Sequence, residues 1–267
     1  MVNDLARVVE VLKRARVVTA LTGAGVSAAS GIPTFRGADG LWKTYRAETL
    51  ATPEAFASDP RLVWEWYDWR RQIIRDALPN AAHDVLARWA RDRPGFTLIT
   101  QNVDGLHERA GACLASGPET GRRAERLIRL HGSIWHVRCW NACAGGRHDW
   151  RDDTAPLPVL PPRCPHCGGL VRPGVVWFGE GLDPEIVDRA NAATACDVFL
   201  TIGTSAIVYP AAGLVHQAKR RGATTVEINL ETTAASDVVD VSLRGQAAEI
   251  LLELQRLVHA PTASSST

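Results

Sequence analysis

The chain has 267 residues, of which 46% are hydrophobic and 22% charged, a composition typical of a soluble globular protein with one sizeable domain. Its 30 basic and 29 acidic residues give a net charge of +1, which excludes a strongly basic nucleic-acid-binding surface and an acidic tail. The sequence has no run of the ~18 apolar residues that a membrane span requires, and residues 1–16 lack the apolar core of a signal peptide. We therefore expect a cytoplasmic protein that binds neither membranes nor nucleic acids, with its six cysteines reduced. We also expect a monomer, although none of these features determines the oligomeric state.

Hydrophobic periodicity predicts that helices and strands alternate along the chain. We expect a helix over residues 3–15, with Asn3 as its N-cap, and then a buried strand over 16–22 that enters a glycine-rich turn. The later predicted helices span residues 60–77, 81–91, 184–195, 210–221 and 246–259, and the later predicted strands span 96–100, 127–131, 135–139, 175–178, 198–202 and 225–229. This alternation predicts an α/β fold, in which helices cover both faces of a parallel sheet.

Residues 140–174 are rich in Pro, Cys and Gly and lose the apolar periodicity, which indicates an inserted, loop-rich module. Within and next to it, two cysteine pairs form C-x3-C and C-x2-C motifs that are 20 residues apart. Two close thiolate pairs joined by such a spacer predict a tetrahedral zinc site, and four thiolates leave no position for a catalytic water. The predicted ligands are Cys139, Cys143, Cys164 and Cys167, with His148 and His166 as alternatives. Cys113 and Cys196 are unpaired in sequence and are predicted to be small core residues.

A glycine-rich turn follows the first predicted strand. Residues 23–28 fit the pattern G-x-G-x-x-G/A, whose backbone N–H groups can approach a pyrophosphate at a helix N-terminus. A tight strand-to-helix turn without a ligand is the structural alternative. An ordinary dinucleotide fold would also carry an acidic residue roughly 20 residues later, at the end of a second strand, and none is found there. This disfavours a standard dehydrogenase but not a nucleotide, and Arg36 is a candidate phosphate partner.

Polar clusters follow four of the other predicted strands. They begin at Gln101, His131, Gly203 and Asn229. Each cluster alone can be read as a turn or a helix cap, and His131 alone as a structural histidine. Because ligands bind at the carboxyl edge of an open parallel sheet, the four together predict a binding site.

In their residues and their order along the chain, these motifs resemble the sirtuin family of NAD-dependent protein lysine deacylases over residues 21–247. The matching segments are Gly23-Ala24-Gly25-Val26-Ser27, Gly31-Ile32-Pro33-Thr34-Phe35-Arg36, Gln101-Asn102-Val103-Asp104, His131-Gly132, the four cysteines, Val176-Trp177-Phe178-Gly179-Glu180, Gly203-Thr204-Ser205 and Asn229. The resemblance implies a catalytic domain over residues 1–260 and a disordered tail over 261–267. Its large Rossmann-like lobe would comprise about 1–34, 82–132 and 175–260, and its small lobe a helical module (35–81) and a zinc module (133–174).

The resemblance also implies roles for individual residues. His131 would be the general base on a ribose hydroxyl, and Asn102 would hold and orient the nicotinamide end. The NAD-binding positions would be Gly23, Ala24, Gly25, Ser27, Thr34, Phe35, Arg36, Trp42, Gln101, Asn102, Asp104, Gly203, Thr204, Ser205, Asn229, Leu230, Glu231 and Ala247. Residues 176–180 would pair with the substrate backbone as an added strand, with Val176, Phe178, Gly179 and Glu180 as contacts. The products would be free lysine, nicotinamide and O-acyl-ADP-ribose.

A narrower resemblance points to class III sirtuins, which remove acidic acyl groups. It rests on Ala51, followed by Thr52-Pro53, and on Tyr67 and Arg70, which share a helix face at i,i+3 spacing. Arg can hold a carboxylate with two bonds, Tyr can add one, and a small Ala leaves room for a longer acyl chain. The sequence therefore predicts removal of succinyl and malonyl groups and, less efficiently, of acetyl groups from acylated-lysine proteins. On helix position alone, Arg70 could instead be a surface residue and Tyr67 a core residue.

Three alternatives stay open at this stage. The chain could be mainly a deacetylase, or it could transfer a single ADP-ribose to proteins in the same cleft. The third alternative is a zinc-ribbon module that binds nucleic acid or protein. The mixed charge of residues 133–174, without an aromatic and basic stripe, speaks against nucleic acid.

Overall fold

The chain folds into alternating strands and helices, as its hydrophobic periodicity predicts. The computed structural model describes residues 2–34, 41–42, 45–112, 126–146 and 149–260. The strands are β1 (Val18–Thr22), β2 (Leu41–Trp42), β3 (Tyr45–Arg46), β4 (Phe96–Thr100), β5 (Leu127–Arg129), β6 (Gly132–Cys139), β7 (Trp150–Arg151), β8 (Val171–Val175), β9 (Val198–Ile202), β10 (Thr224–Asn229) and β11 (Val241–Arg244). The helices are α1 (Val2–Arg14), α2 (Gly25–Ala28), α3 (Ala47–Leu50), α4 (Pro53–Ser58), α5 (Pro60–Asp76), α6 (Ala81–Asp92), α7 (Leu106–Arg109), α8 (Pro184–Ala193), α9 (Ala211–Arg220) and α10 (Ala247–Val258).

A parallel sheet of six strands, in the order β11-β10-β9-β1-β4-β5, forms the centre of the structure. Thr22 at the end of β1 is level with Thr100 of β4 and Ile202 of β9, so these strands end at the same edge. The strand order reverses next to β1, because the chain continues to β4 on one side and later to β9 on the other. Ligands bind at such a reversal in open α/β sheets, so the fold places a candidate site beyond β1.

Helices cover both faces of this sheet, which confirms the predicted α/β architecture. On one face, α1, α6 and α10 pack in one apolar core with strand residues such as Ala20 and Leu98. On the other face, α8 and α9 pack with Leu21, Ile99 and Phe199. Consecutive strand residues therefore serve opposite cores, as burial of the sheet on both faces requires.

A separate apolar core joins α5 to a three-stranded antiparallel sheet in the order β7-β6-β8. The indole N–H of Trp64 donates a hydrogen bond to the carbonyl oxygen of Val171 at 2.7 Å, which ties α5 to β8. Arg71 is fully buried and its Nε donates to the carbonyl oxygen of Ile134 at 2.9 Å. The tryptophan-rich helix is thus fastened to the cysteine-rich segment by polar bonds as well as by apolar contacts.

The structure corrects several predicted boundaries. Helix α1 begins at Val2, so Asn3 lies inside the helix and is not its N-cap. The strand predicted over 175–178 is wrong: β8 spans Val171–Val175, and the chain leaves the sheet at Val176. Strand β8 was missed because it contains Pro173 and Gly174, two residue types that are rare in strands. A Cβ on Gly174 would lie 2.8 Å from the Cβ of His136 on β6, so the close packing of the two strands requires glycine.

The bounds of the two strands on either side of His131 also differ from those predicted. Strand β5 ends at Arg129, before His131, and β6 begins at Gly132, earlier than predicted. Strand β11 was not predicted from the sequence.

Within the described ranges, no helix has both the length and the apolar character needed to cross a membrane. The predictions for Phe35, Arg36, Cys113, His148 and residues 261–267 lie outside the described residues.

Candidate active site

The carboxyl edge of the parallel sheet brings the predicted polar clusters together. The amide of Gln101 donates to the carbonyl oxygen of Thr22 at 3.0 Å, and its side-chain Nε2 donates to Oγ1 of Thr204 at 2.9 Å. From the next strand, Nδ2 of Asn229 donates to the carbonyl oxygen of Thr204 at 3.0 Å. These bonds link the ends of β1, β4, β9 and β10 into one polar surface.

The glycine turn is fitted tightly against the end of β9. The amides of Gly23 and Gly25 donate to the carbonyl oxygens of Ile202 (3.0 Å) and Gly203 (2.8 Å). A Cβ on either glycine would lie 2.8 Å from the Gly203 oxygen. The two glycine N–H groups are therefore engaged within the protein, and these glycines serve close backbone packing rather than direct donation to a pyrophosphate. Ala24, between them, is half-buried at the surface of the turn.

Ser27, Asn102 and Asp104 form a buried hydrogen-bond network beneath the turn. The hydroxyl of Ser27 donates to Oδ2 of Asp104 at 2.8 Å, and the amide of Leu106 donates to its Oδ1 at 2.8 Å. Nδ2 of Asn102 donates to the carbonyl oxygen of Gly23 (3.1 Å) and to Oγ of Ser27 (3.2 Å). Because both amide hydrogens of Asn102 point inward, its Oδ1 is the atom left to accept a bond from a ligand amide.

His131 lies just beyond β5, half-buried, with its Nδ1 3.0 Å from the carbonyl oxygen of Gln101. A carbonyl oxygen only accepts hydrogen bonds, so in the neutral imidazole Nδ1 carries the hydrogen and Nε2 carries the lone pair. Burial lowers the pKa of His131, against the Gln101 hydrogen bond, which raises it. The residue is thus held in the neutral form that a general base needs near pH 7.

Sequence reasoning missed two buried histidines behind this network. His83 accepts a bond from the amide of Asn80 at Nδ1 (3.2 Å), which leaves the hydrogen on Nε2, 3.4 Å from Oγ of Ser27. The His107 ring lies 4.8 Å from that of His83, and its Nε2 is 3.0 Å from Oγ1 of Thr22. Burial lowers the pKa of both histidines. The spacing of Asn80 and His83, which form a helix capping box, was the available sequence signal for His83.

The remaining predicted NAD-binding positions that the structure describes lie on several elements. Thr34 and Ser205 are half-buried, whereas Leu230 and Glu231 are exposed beyond the end of β10. Ala247 is the first residue of α10, and the amide of Gly245 just before it donates to the carbonyl oxygen of Asn229 at 3.1 Å. Trp42 lies on β2.

Tyr67 and Arg70 are both buried on α5, with 3% and 8% of their surface exposed, so Arg70 is not a surface residue. Arg70 lies over the ring of Trp66, 5.3 Å from its centroid, and lines a crevice with Ile32 and Pro33 of the loop after the glycine turn. Burial lowers the pKa of Arg70, while Tyr67 and Asp104 raise it. A buried guanidinium of this kind is stabilised by an anion that contacts it.

Residues 176–180, predicted to hold the substrate backbone, are hydrogen-bonded to the segment that follows α3. The amide of Phe178 donates to the carbonyl oxygen of Ala51 at 2.9 Å, and the Phe178 side chain is 43% exposed. Glu180 instead turns inward: Nη2 of Arg172 donates to its Oε2 at 2.8 Å, as does the amide of Trp177. Burial raises the pKa of Glu180, but these hydrogen bonds outweigh it and hold the pKa below its usual value. The Glu180 carboxylate therefore anchors the segment.

Cys139, Cys143, Cys164 and Cys167 form a compact cluster between β6 and β8, with their sulfur atoms all within 4.8 Å of one another. The Cys139–Cys167 and Cys143–Cys164 Sγ distances are 3.6 and 3.7 Å. Four thiolates on a tetrahedral zinc would lie ~3.8 Å apart, so the cluster fits this ion. His166 lies instead beside Trp150, and the cluster that fits the metal consists of the four cysteines.

The donor set at the sheet edge also fits a dinucleotide. Amide, hydroxyl and main-chain groups follow five neighbouring strands, and the Asp104 carboxylate is engaged by Ser27 and Leu106. Neutral polar groups suit phosphates and ribose hydroxyls, and Oδ1 of Asn102, to which no group among the described residues donates, suits a carboxamide. The residues present are therefore compatible with NAD.

Comparison with known proteins places this arrangement in a family. The profile described as Sir2 family matches residues 23–210. An NAD-dependent protein deacylase of Aquifex aeolicus is 49% identical over 86% of this chain and 90% of its own. NAD-dependent protein deacylase 1 of Archaeoglobus fulgidus is 47% identical over 94% of this chain and 97% of its own.

Solved structures agree with the sequence comparison. The crystal structure of a Sir2 homologue in complex with NAD superposes with a TM-score of 0.85 at 46% identity, covering 95% of this chain and 93% of that one. A mutant Sir2 homologue in complex with 2′-O-acetyl-ADP-ribose gives a TM-score of 0.84, also at 46% identity, over 94% and 95% of the two chains. Since the shared sequence spans both the sheet edge and the cysteine cluster, the chain belongs to the Sir2 family.

Proposed function

We propose that this protein is an NAD-dependent protein-lysine deacylase that prefers succinyl- and malonyl-lysine over acetyl-lysine. The carrying observation is His131 at the sheet edge, with its Nδ1 3.0 Å from the carbonyl oxygen of Gln101, so that its Nε2 is the nitrogen that can accept a proton. Relatives of this chain carry the name NAD-dependent protein deacylase at 45–49% identity. Both substrates would enter the cleft between a large lobe (about 1–34, 82–132 and 175–260) and a small lobe (35–81 and 133–174).

The protein's own residues would perform three tasks in this reaction. When bound, NAD would supply the ribose carbon from which nicotinamide leaves and the ribose hydroxyl that receives the acyl group. Nε2 of His131 takes the proton from a ribose hydroxyl, while Nδ1–H stays bonded to Gln101. Oδ1 of Asn102 accepts from the carboxamide, since its Nδ2 is held by Gly23 and Ser27. The zinc ligands act at a distance, by holding β6 and β8 in place.

Two buried side chains on α5 support the acidic-acyl preference. Burial destabilises the charged guanidinium of Arg70, so that contact with the carboxylate of an acidic acyl group would stabilise it. A terminal carboxylate of a succinyl or malonyl group can accept two bonds from Arg70 and one from Tyr67. An acetyl group offers no such acceptor, so its removal does not use these two residues.

Replacing Arg70 by methionine tests this assignment. We expect Arg70→Met to lower kcat/KM for desuccinylation by roughly 10- to 100-fold, because hydrogen bonds to charged groups are worth about 1.5–3 kcal/mol. Deacetylation of the same peptide should fall much less. Arg61→Met is the matched control, since Arg61 lies in the first turn of the same helix and is exposed beside Glu65. Equal losses for both acyl groups would contradict the carboxylate-binding role of Arg70.

The same assay separates the alternatives. Removal of acetyl groups alone would make the protein a deacetylase and reduce Tyr67 and Arg70 to packing residues. NAD consumption with no deacylated product, together with a mass shift on an acceptor protein, would point to ADP-ribosyl transfer.

A further inference from the structure

Trp177 forms a direct bond to the predicted acyl-recognition residue Tyr67. The indole N–H of Trp177 lies 2.9 Å from Oη of Tyr67, and both side chains are at most 3% exposed. An indole nitrogen can only donate, so the phenol oxygen accepts and the phenolic O–H is left to point elsewhere. The bond thus fixes the direction in which Tyr67 can donate a hydrogen bond.

Trp177 is itself held rigidly by an ion pair. The guanidinium carbon of Arg172 lies 3.5 Å from the centroid of the Trp177 ring, and Arg172 bonds to Glu180 through both terminal nitrogens. Glu180 in turn accepts a hydrogen bond from the Trp177 amide at 2.8 Å. The indole therefore has fixed contacts on its face and its backbone as well as at its ring nitrogen, and little freedom to reorient.

The residue after Trp177 contacts the other side of the predicted acyl pocket. The amide of Phe178 donates to the carbonyl oxygen of Ala51 at 2.9 Å. Two consecutive residues of segment 176–180 are thereby bonded to Ala51, which follows α3, and to Tyr67 on α5. A shift of this segment would therefore disturb the contacts of both Ala51 and Tyr67.

We propose that Trp177 is a positioning residue for acyl specificity, which orients the Tyr67 hydroxyl toward the carboxylate of an acidic acyl-lysine. This inference rests on the proposed function, because it needs a carboxylate beside Arg70. Burial also raises the pKa of Tyr67, so that the phenol keeps its proton and acts as a donor at neutral pH. Segment 176–180 then joins peptide binding to recognition of the acyl group.

The test measures peptide binding without NAD. Calorimetry gives the Kd of one peptide carrying either succinyl- or acetyl-lysine, for the wild type, Trp177→Phe, Tyr67→Phe and the double variant. We expect Trp177→Phe to raise the Kd of the succinyl peptide by roughly tenfold, the value of one hydrogen bond. The rise in the Kd of the acetyl peptide should be several-fold smaller. The double variant should bind the succinyl peptide no more weakly than Tyr67→Phe alone, because the two residues act as a unit.

Trp89→Phe is the matched control. It removes a buried indole N–H that bonds to Gln255 between α6 and α10, and should change neither Kd. If Trp177→Phe lowers thermal stability strongly, benzothienylalanine at position 177 removes the N–H while it keeps the shape of the indole.

Each outcome has a defined meaning. Equal weakening of both peptides, or additive losses for Trp177→Phe and Tyr67→Phe, would overturn the positioning role of Trp177 while leaving the acyl preference intact. A wild type that binds the succinyl peptide no better than the acetyl peptide would overturn the acidic-acyl preference itself, and with it this inference.

Discussion

Nδ1 of His131 lies 3.0 Å from the main-chain oxygen of Gln101, and this contact determines which imidazole nitrogen can act as a base. Burial lowers the pKa of His131 from its ordinary value of 6.5, more than the Gln101 bond raises it. The proposed general-base role requires the neutral imidazole, so activity should persist below pH 6.5 and fall only as the imidazole becomes protonated at lower pH. A profile of kcat/KM between pH 5 and 8 checks this. An acidic limb centred above pH 6.5 would contradict the assignment.

The contact of Gly25 with Gly203 predicts a stability defect. A methyl group at Gly25 would lie 2.8 Å from the Gly203 oxygen and 2.9 Å from its Cα, so the backbone must shift. We expect Gly25→Ala to lower the free energy of unfolding by about 1–3 kcal/mol, which denaturant titration measures. Gly181→Ala is the control, because a Cβ there would have no neighbour within 4 Å among the residues that the structure describes. An unchanged Gly25→Ala protein would show that this close fit is not required.

His107 should make the protein less stable at mildly acidic pH. Burial keeps the pKa of His107 well below 6.5 in the folded state, so the unfolded chain binds a proton first as pH falls. The contribution of neutral His107 to the free energy of unfolding is therefore complete above the pKa that His107 has in the unfolded chain, and it decreases as pH falls below about 6.5. His107→Gln, which keeps a donor toward Thr22 but does not titrate, should show a shallower loss of stability between pH 6.5 and 5. Parallel slopes for the two proteins would refute this origin.

The zinc cluster predicts a specific response to the loss of one thiolate. Cys143→Ser should reduce the zinc content below one ion per chain and lower the melting temperature, because three thiolates bind the ion less tightly. Cys196→Ser, a half-buried cysteine outside the cluster, should keep one zinc per chain. Elemental analysis with thermal unfolding measures both effects. Full zinc content in Cys143→Ser would indicate a different ligand set.

The sequence was most informative about features that depend on residues close together in the chain. Strands β4 and β9 match the predicted ranges residue for residue, because each is a short apolar run followed by polar residues. The four cysteines were found from their spacing, since metal ligands must come close in pairs. Strand β8 was placed wrongly because its Pro and Gly are tolerated only through packing against β6.

The relationships missed by the sequence reasoning are long-range. His83 and Ser27 are 56 positions apart, and Trp177 and Tyr67 are 110 positions apart, so no local pattern reports their hydrogen bonds. The inward orientation of Glu180 likewise depends on Arg172, a buried cation that a hydropathy argument places at the surface. Tertiary contacts determine these side-chain directions.

The most direct test of the proposed function is a matched deacylation assay. The wild-type protein is incubated with NAD and one peptide that carries either succinyl- or acetyl-lysine, and the peptide, nicotinamide and O-acyl-ADP-ribose are followed by mass spectrometry. We predict NAD-dependent removal of both groups, with one nicotinamide released per acyl group and a higher kcat/KM for the succinyl peptide. Faster removal of acetyl would contradict the acidic-acyl preference, and no deacylation of either peptide would contradict the proposed activity.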